Sequence, residues 1–233
     1  DIYYGAADSV CAFASLYLPD LLDAMIPERR EAFARRAENN PLIVPDPAHA
    51  WEEKATFNAG AIDINGTQHL LYRAMGGDNT SVLGYVRMSE DGLKVEERLA
   101  QPVYVPRADF EQKLGNKNGN SGCEDPRITK IGDTLYMGYT AYDGVHAPRA
   151  ALTAISVADF LAKRFERFSM PVLVTPDAID DKDMFVLPEK VGGNYYIFHR
   201  IGSHICADIR DSLDFSKGRV DRCIELFGPR RGM

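Results

Sequence analysis

The 233 residues, 45% of them hydrophobic, are enough for one or two domains with a sizeable core. A net charge of −7, from 27 basic and 34 acidic side chains, argues against a broad nucleic-acid surface. No run approaches the ~18 apolar residues of a membrane-spanning helix, and no basic segment leads into an apolar one as in a signal peptide.

Cysteines at 11, 123, 206 and 223 form no C-x-x-C pair, and Cys11 and Cys206 lie inside apolar runs. They read as free thiols in a reducing compartment, which predicts a cytoplasmic protein. His199 and His204 are five apart, on opposite faces of a strand, so no metal pair is expected.

In chain order, "DIYYGAADSVCAFASLYLPDLL" opens with two strand-like runs. They align with later segments: Tyr3-Tyr4-Gly5 with Met137-Gly138-Tyr139, and Ala12 to Ser15 with Leu152 to Ile155. "IPERREAFARRAENN" predicts a charged helix over 28–38, started at Pro27 and stopped by Asn39-Asn40-Pro41. Three hairpin patterns follow: "AIDINGTQHLLYRA" from Ala61, "RITKIGDTLYMGYTAY" from Arg127 and "EKVGGNYYIFHRI" from Glu189. Asn65-Gly66, Gly132-Asp133 and Gly192-Gly193 are turn pairs that tolerate positive φ. Each hairpin precedes a third strand ending in an acidic turn, at Asp91, Asp159 and Asp214.

A repeat of antiparallel strands at a period of roughly 60 residues predicts β-propeller blades with long loops. The division expected is a partial blade over 1–26, a helical linker over 27–40 and an incomplete propeller over 41–233, a piece of a longer chain. "ATFNAGAI", "EDPRIT" and "LPEKV" are expected on the innermost strands, which face the channel.

Polar residues at those strand starts are the candidate ligands. Pro126 restricts Asp125 to an extended backbone, and Arg127 shares its strand face. Strand alternation lets one of the neighbours Glu124 and Asp125 face the channel. Arg73, Arg149 and Arg200 recur beside apolar strands, which suits an anion or polyol site. For Lys182 and Lys190 the bland alternative is a solvated loop; for His199 it is a satisfied core histidine.

"NNPLIVP", "WEEKATFNAGAI", "HLLYRAMGGDNTSVLGY", "GCEDPRITKIGDTLYMGYTAY", "PRAALTAIS" and "LPEKVGGNYYIFHRIG" together resemble glycoside hydrolase family 130. Its members are β-mannoside phosphorylases and related β-mannosidases on a five-bladed propeller. The resemblance implies an all-β fold of that type, here about three blades plus part of another and one N-terminal helix. It implies inverting phosphorolysis of β-mannosides to mannose 1-phosphate, with Asp125 as general acid acting through a mannose hydroxyl. Asn58, Arg73, Tyr142, Asp183 and Glu189 become sugar contacts. Arg149, Lys182, Lys190, His199 and Arg200 become the phosphate site. The partners implied are a β-mannoside oligosaccharide and inorganic phosphate as co-substrate, with no other cofactor, no nucleic acid and no membrane; oligomerisation of a longer parent is left open. Two alternatives stand beside it, an inverting β-mannosidase using water and a non-catalytic carbohydrate-binding propeller.

Overall fold

The computed structural model describes residues 2–6, 10–16, 19, 34–220 and 223–229. Within them the chain is mostly strand. Ile2–Ala6 (β1), Val10–Leu16 (β2) and Ala34–Arg36 (β3) form a three-stranded antiparallel sheet. Tyr4 pairs with Ala12 just as Gly138 pairs with Leu152, the register that the sequence alignment implies.

Three four-stranded antiparallel units follow, the first two joined into one eight-stranded sheet by a short parallel pairing of Thr80-Ser81 with Ser121-Gly122. The first is Ala55–Ile64 (β4), Thr67–Met75 (β5), Thr80–Met88 (β6) and Val95–Arg98 (β7). The second is Ser121–Ile131 (β8), Thr134–Tyr142 (β9), Arg149–Ser156 (β10) and Val172–Leu173 (β11). A short helix, Val157–Leu161 (α1), is capped by Ser156. The third is Asp181–Val186 (β12), Tyr195–Ile201 (β13), His204–Arg210 (β14) and Ile224–Phe227 (β15). The turn chemistry works as read: Asn65 and Gly66 take φ of 56° and 82°, the left-handed pair of a two-residue hairpin loop.

The core runs through three seams. Cys11 packs against Leu70, Tyr72 and Val86 between the first sheet and the first unit. Leu71, Tyr85, Tyr104, Met137, Tyr139 and Phe160 fill the seam between the first and second units. Leu152, Met184, Val186 and Ile197 fill the one between the second and third. Burying each such side chain stabilises the fold by about 1.5–3 kcal/mol, and alternation along β9 sends Met137 and Gly138 to different seams. Gly60 lets the first strands approach, because a Cβ there would overlap the Pro126 carbonyl.

Two expectations are corrected. Residues 34–36, placed in a helix by their charge pattern, form β3 because pairing with β2 supplies backbone partners; residues 28–33 lie outside the described residues. The first strand of the third unit is Asp181–Val186, not "LPEKV". Leu187 N still donates to Tyr196 O, but Pro188 has no N–H, so the ladder stops and Glu189 and Lys190 go to the exposed hairpin tip. Ile224–Phe227 closes the third unit as its fourth strand, β15.

Candidate active site

Each unit breaks register in its first strand at the same place. The shifts lie between Phe57 and Gly60, between Glu124 and Arg127, and between Lys182 and Phe185. The bulged residues are Asn58, Asp125 and Asp183, with φ of 48°, 53° and 55°. Asn and Asp are the side chains that best tolerate this left-handed region. The bulge overrides the extended conformation that Pro126 favours at Asp125, and interactions of the side chain hold the strained residue in place.

Those interactions link the strands. Asn58 Nδ2 donates to Asp125 Oδ1 at 3.0 Å, and Arg73 Nη1 donates to the same oxygen at 3.1 Å. Arg73 Nη2 donates to Glu124 Oε1 at 2.6 Å, and its Nε donates to Ser81 Oγ at 2.9 Å. The Phe57 ring lies under the guanidinium, 4.6 Å from centroid to Cζ. Glu124 and Asp125 thus both meet Arg73, because the bulge cancels the alternation expected to separate them. Burial pushes the Glu124 carboxyl above its usual range; Arg73 opposes that shift and Asp125 adds to it. The charge of Lys182 also acts on Glu124.

Asp183 sits between two guanidiniums. Arg127 Nη2 donates to its Oδ1 at 2.8 Å and Arg200 Nε to its Oδ2 at 2.6 Å. Burial alone would raise the Asp183 pKa, but the two arginines outweigh it and hold the carboxyl below its ordinary range. Arg127, read as the neighbour of Asp125, therefore serves the next unit instead. Lys182 pairs across the ladder with Arg200, and Asp125 adds to the field that favours the Arg200 charge.

At the seam between the second and third units, Asp181 N donates to Pro148 O at 3.0 Å, bringing the start of β12 beside Arg149. Asp181 Oδ2 accepts from Thr175 Oγ1 at 2.6 Å and from His199 Nδ1 at 2.8 Å. Arg149 Nη1 donates to Asp177 Oδ1 at 2.9 Å. Arg149 Nε, His199 Nε2 and Asp181 Oδ1 are buried with no hydrogen-bond partner among the described residues. Unpaired polar atoms of this kind are costly and mark a place made for polar company.

The family model described as beta-1,4-mannooligosaccharide phosphorylase, of glycoside hydrolase family 130, matches residues 28–221. The chain belongs to that family. A beta-1,2-mannobiose phosphorylase of Thermoanaerobacter sp. (strain X514) is 34% identical over 178 residues, spanning 71% of this chain and 53% of its own length. A 1,2-beta-oligomannan phosphorylase of the same organism is 32% identical over 186 residues, spanning 77% of this chain and 57% of its own. The crystal structure of a glycosyl hydrolase from Bacteroides ovatus superposes with a TM-score of 0.62 at 26% identity, covering 84% of this chain and 62% of that one. The family 130 chain thus spans a little over half the length of these curated relatives.

Of the residues expected to act, this family 130 chain brings Asn58, Arg73 and Asp125 into one group and Asp183 and Arg200 into another, with Lys182 beside both. Arg149 and His199 lie at the seam next to them. Tyr142 ends β9 opposite Gly122, at the same end of the sheet as Glu124. Glu189 and Lys190 do not join: both are exposed at the hairpin tip, where Lys190 Nζ sits 4.1 Å from the Tyr195 ring centroid. Ser81 and Asp181 are new members. An Asn or Asp recurs within each first strand, but that recurrence alone does not mark a bulge, which is defined by the strand opposite.

Proposed function

We propose that this chain carries most of the active site of an inverting β-mannoside phosphorylase. Its three four-stranded units are consecutive blades of a five-bladed propeller, with β4, β8 and β12 lining the channel. Asp125 is the general acid. Both of its donors reach Oδ1, which leaves Oδ2 to carry the proton. That proton passes through a hydroxyl of the bound mannose to the glycosidic oxygen as the C1–O bond breaks. A phosphate oxygen forms the new bond to C1 from the opposite face, giving α-mannose 1-phosphate. Asn58 and Arg73 orient Asp125 and the sugar. Lys182, Arg200, Arg149 and His199 bind phosphate, whose own charge replaces the base that water would need. The four free cysteines support a reducing, cytoplasmic setting.

One observation carries the choice of phosphate over water. Inverting hydrolysis needs a second carboxylate free to activate water. Glu124 is held by Arg73, and both oxygens of Asp183 are held by arginines. What remains is Lys182, Arg149 Nε and His199 Nε2 against one unpaired carboxylate oxygen, Asp181 Oδ1, on a buried side chain whose other oxygen is fixed by Thr175 and His199. The names of the two curated relatives, both phosphorylases, point the same way.

The test is to incubate the chain, and the complete parent protein, with β-1,2- and β-1,4-mannobiose with and without phosphate, following phosphorus NMR. Mannose 1-phosphate appearing in step with free mannose, and only when phosphate is present, is the expected result. Mannose released without phosphate consumption would establish the hydrolase. Binding with no turnover by the complete protein would establish a non-catalytic module.

A further inference from the structure

The seam between the first and second units opens at its other end into a cleft of about 640 Å³. It lies beside the Asn65-Gly66 turn, seven residues along β4 from Asn58. At ~3.3 Å per residue that is roughly 20 Å from the Asp125 site. Its walls come from both units: Asn65, Thr67, His69 and Arg87 from the first, Leu161 and Lys163 from the second. The volume is in the range typical of small-molecule sites.

His69 is 3% exposed. Its Nδ1 lies 2.8 Å from the Tyr85 hydroxyl, and its ring meets Phe160 edge-on at 5.5 Å. Its Nε2 is buried and has no partner among the described residues. Burial, with the nearby charge of Arg87, lowers the His69 pKa, so the ring is neutral at pH 7. The charges of the cleft cancel. Arg87 pairs with Glu96 and Glu97, and Lys163 with Glu97, giving two cations against two carboxylates.

A net-neutral wall gives an anion or a cation nothing to discriminate by, and its many polar groups disfavour a purely apolar ligand. A polyhydroxylated neutral molecule suits it, because each hydroxyl both donates and accepts. Ile64 and the 43%-exposed Leu161 supply apolar contact for the C–H face of a sugar ring.

We propose that this cleft is a second saccharide-binding site, in which His69 Nε2 and the Arg87–Glu97–Lys163 network hold the hydroxyls of a neutral oligosaccharide. The preference for a mannoside within that class rests on the phosphorylase reading above. Such a site retains an oligosaccharide on the protein while its end is processed in the channel.

The experiment follows the His69 imidazole signals by nitrogen–proton NMR during titration with β-1,2-mannobiose in phosphate-free buffer, and separately with inorganic phosphate. Saturable shifts with mannobiose are expected in the unmodified chain and in Asp125→Asn. Thr67→Trp fills the cleft from β5, and Leu161→Trp from the exposed rim of the opposite wall. Each should weaken the His69 response at least about tenfold, equivalent to ~1.4 kcal/mol, without changing mannose 1-phosphate formation. His69 signals unmoved by mannobiose, a response undiminished in whichever tryptophan variant folds, or a response to phosphate alone would overturn the proposal. A His69 response without mannose 1-phosphate formation would leave this site standing and sink phosphorolysis; the reverse would sink this site alone.

Discussion

Asn58 and Asp125 are 67 positions apart, yet Asn58 Nδ2 donates to Asp125 Oδ1 at 3.0 Å, each residue projecting from a left-handed bulge in the first strand of its unit. The carboxylate proposed to give up a proton is therefore held from the neighbouring unit, by both Asn58 and Arg73. Removing the exchangeable proton while keeping the shape is the sharpest perturbation. Asp125→Asn should lower turnover on an unactivated mannoside by roughly 10²–10⁴-fold with little change in sugar binding. A nitrophenyl mannoside should be much less sensitive, because its leaving group needs little protonation. Steady-state rates on both substrates check this, and equal rates for Asp125→Asn and the parent on mannobiose would exclude Asp125.

Glu124→Gln should cost less turnover than Asp125→Asn, because the amide oxygen can still accept from Arg73. Glu124→Ala should cost more than the glutamine variant. It leaves a buried Arg73 nitrogen unpaired, a loss of about 1–3 kcal/mol that thermal denaturation would register.

The phosphate site is tested by contrast. Arg200→Ala and Arg149→Ala should each raise the KM for phosphate more than that for mannobiose. A charge-assisted hydrogen bond is worth roughly 1.5–3 kcal/mol, about ten- to a hundredfold. Lys190→Ala should leave the phosphate KM unchanged, since Lys190 packs on Tyr195 at the hairpin tip. A large phosphate effect at Lys190 with none at Arg200 would reverse the assignment.

Acid stability follows from Asp183. Its pKa is depressed in the folded chain, so its contribution is fully present above its unfolded value near 3.8 and is lost as pH falls through the lower folded value. Asp183→Asn should therefore be less stable than the parent at neutral pH. The difference should narrow below about pH 4. Denaturant midpoints measured from pH 7 to pH 3 check the sign; a gap that widens on acidification would contradict it.

Two glycines each back a bulge of the site. Gly60→Ala forces a methyl against the Pro126 carbonyl, and Gly138→Ala forces one against the Met184 carbonyl. Each should destabilise by about 1–3 kcal/mol, or roughly 2–4 °C in Tm per kcal/mol for a chain of this size. Gly60→Ala displaces the residue following Asp125, and Gly138→Ala the residue following Asp183, which holds Arg200; beyond the lost stability, the first should lower kcat and the second should raise the phosphate KM.

The three hairpins were legible because their signals are local: Asn65-Gly66 carries both the turn residues and the flanking alternation of a tight loop. Asp125, Asn58 and Arg73 stood out through the resemblance, the last two as sugar contacts; that both donate to Asp125 itself was not legible, because the contacts cross 67 and 52 positions. The first strand of the third unit was misread because Leu187 and Val191 look strand-like, and only pairing places the ladder's end at Pro188. The β3 strand was hidden because residues 34–36 sit in a charged, helix-like stretch whose pairing with β2 is not local. The bulges were invisible for a related reason. A single inserted residue is defined by what lies opposite it, and no spacing along one strand reveals that Glu124 and Asp125 reach the same arginine.

The repeated bulge has a consequence for how such a site can change. Its left-handed corner accepts Asn or Asp with nearly the same backbone, so the three corners behave as sockets. Each can be fitted with an amide or an acid while the strands around it stay as they are. Exchanging Asn58 for Asp, or Asp183 for Asn, would redraw the charge map of the cavity at constant shape. One architecture can thereby be tuned between a floor that welcomes a dianion and one that repels it.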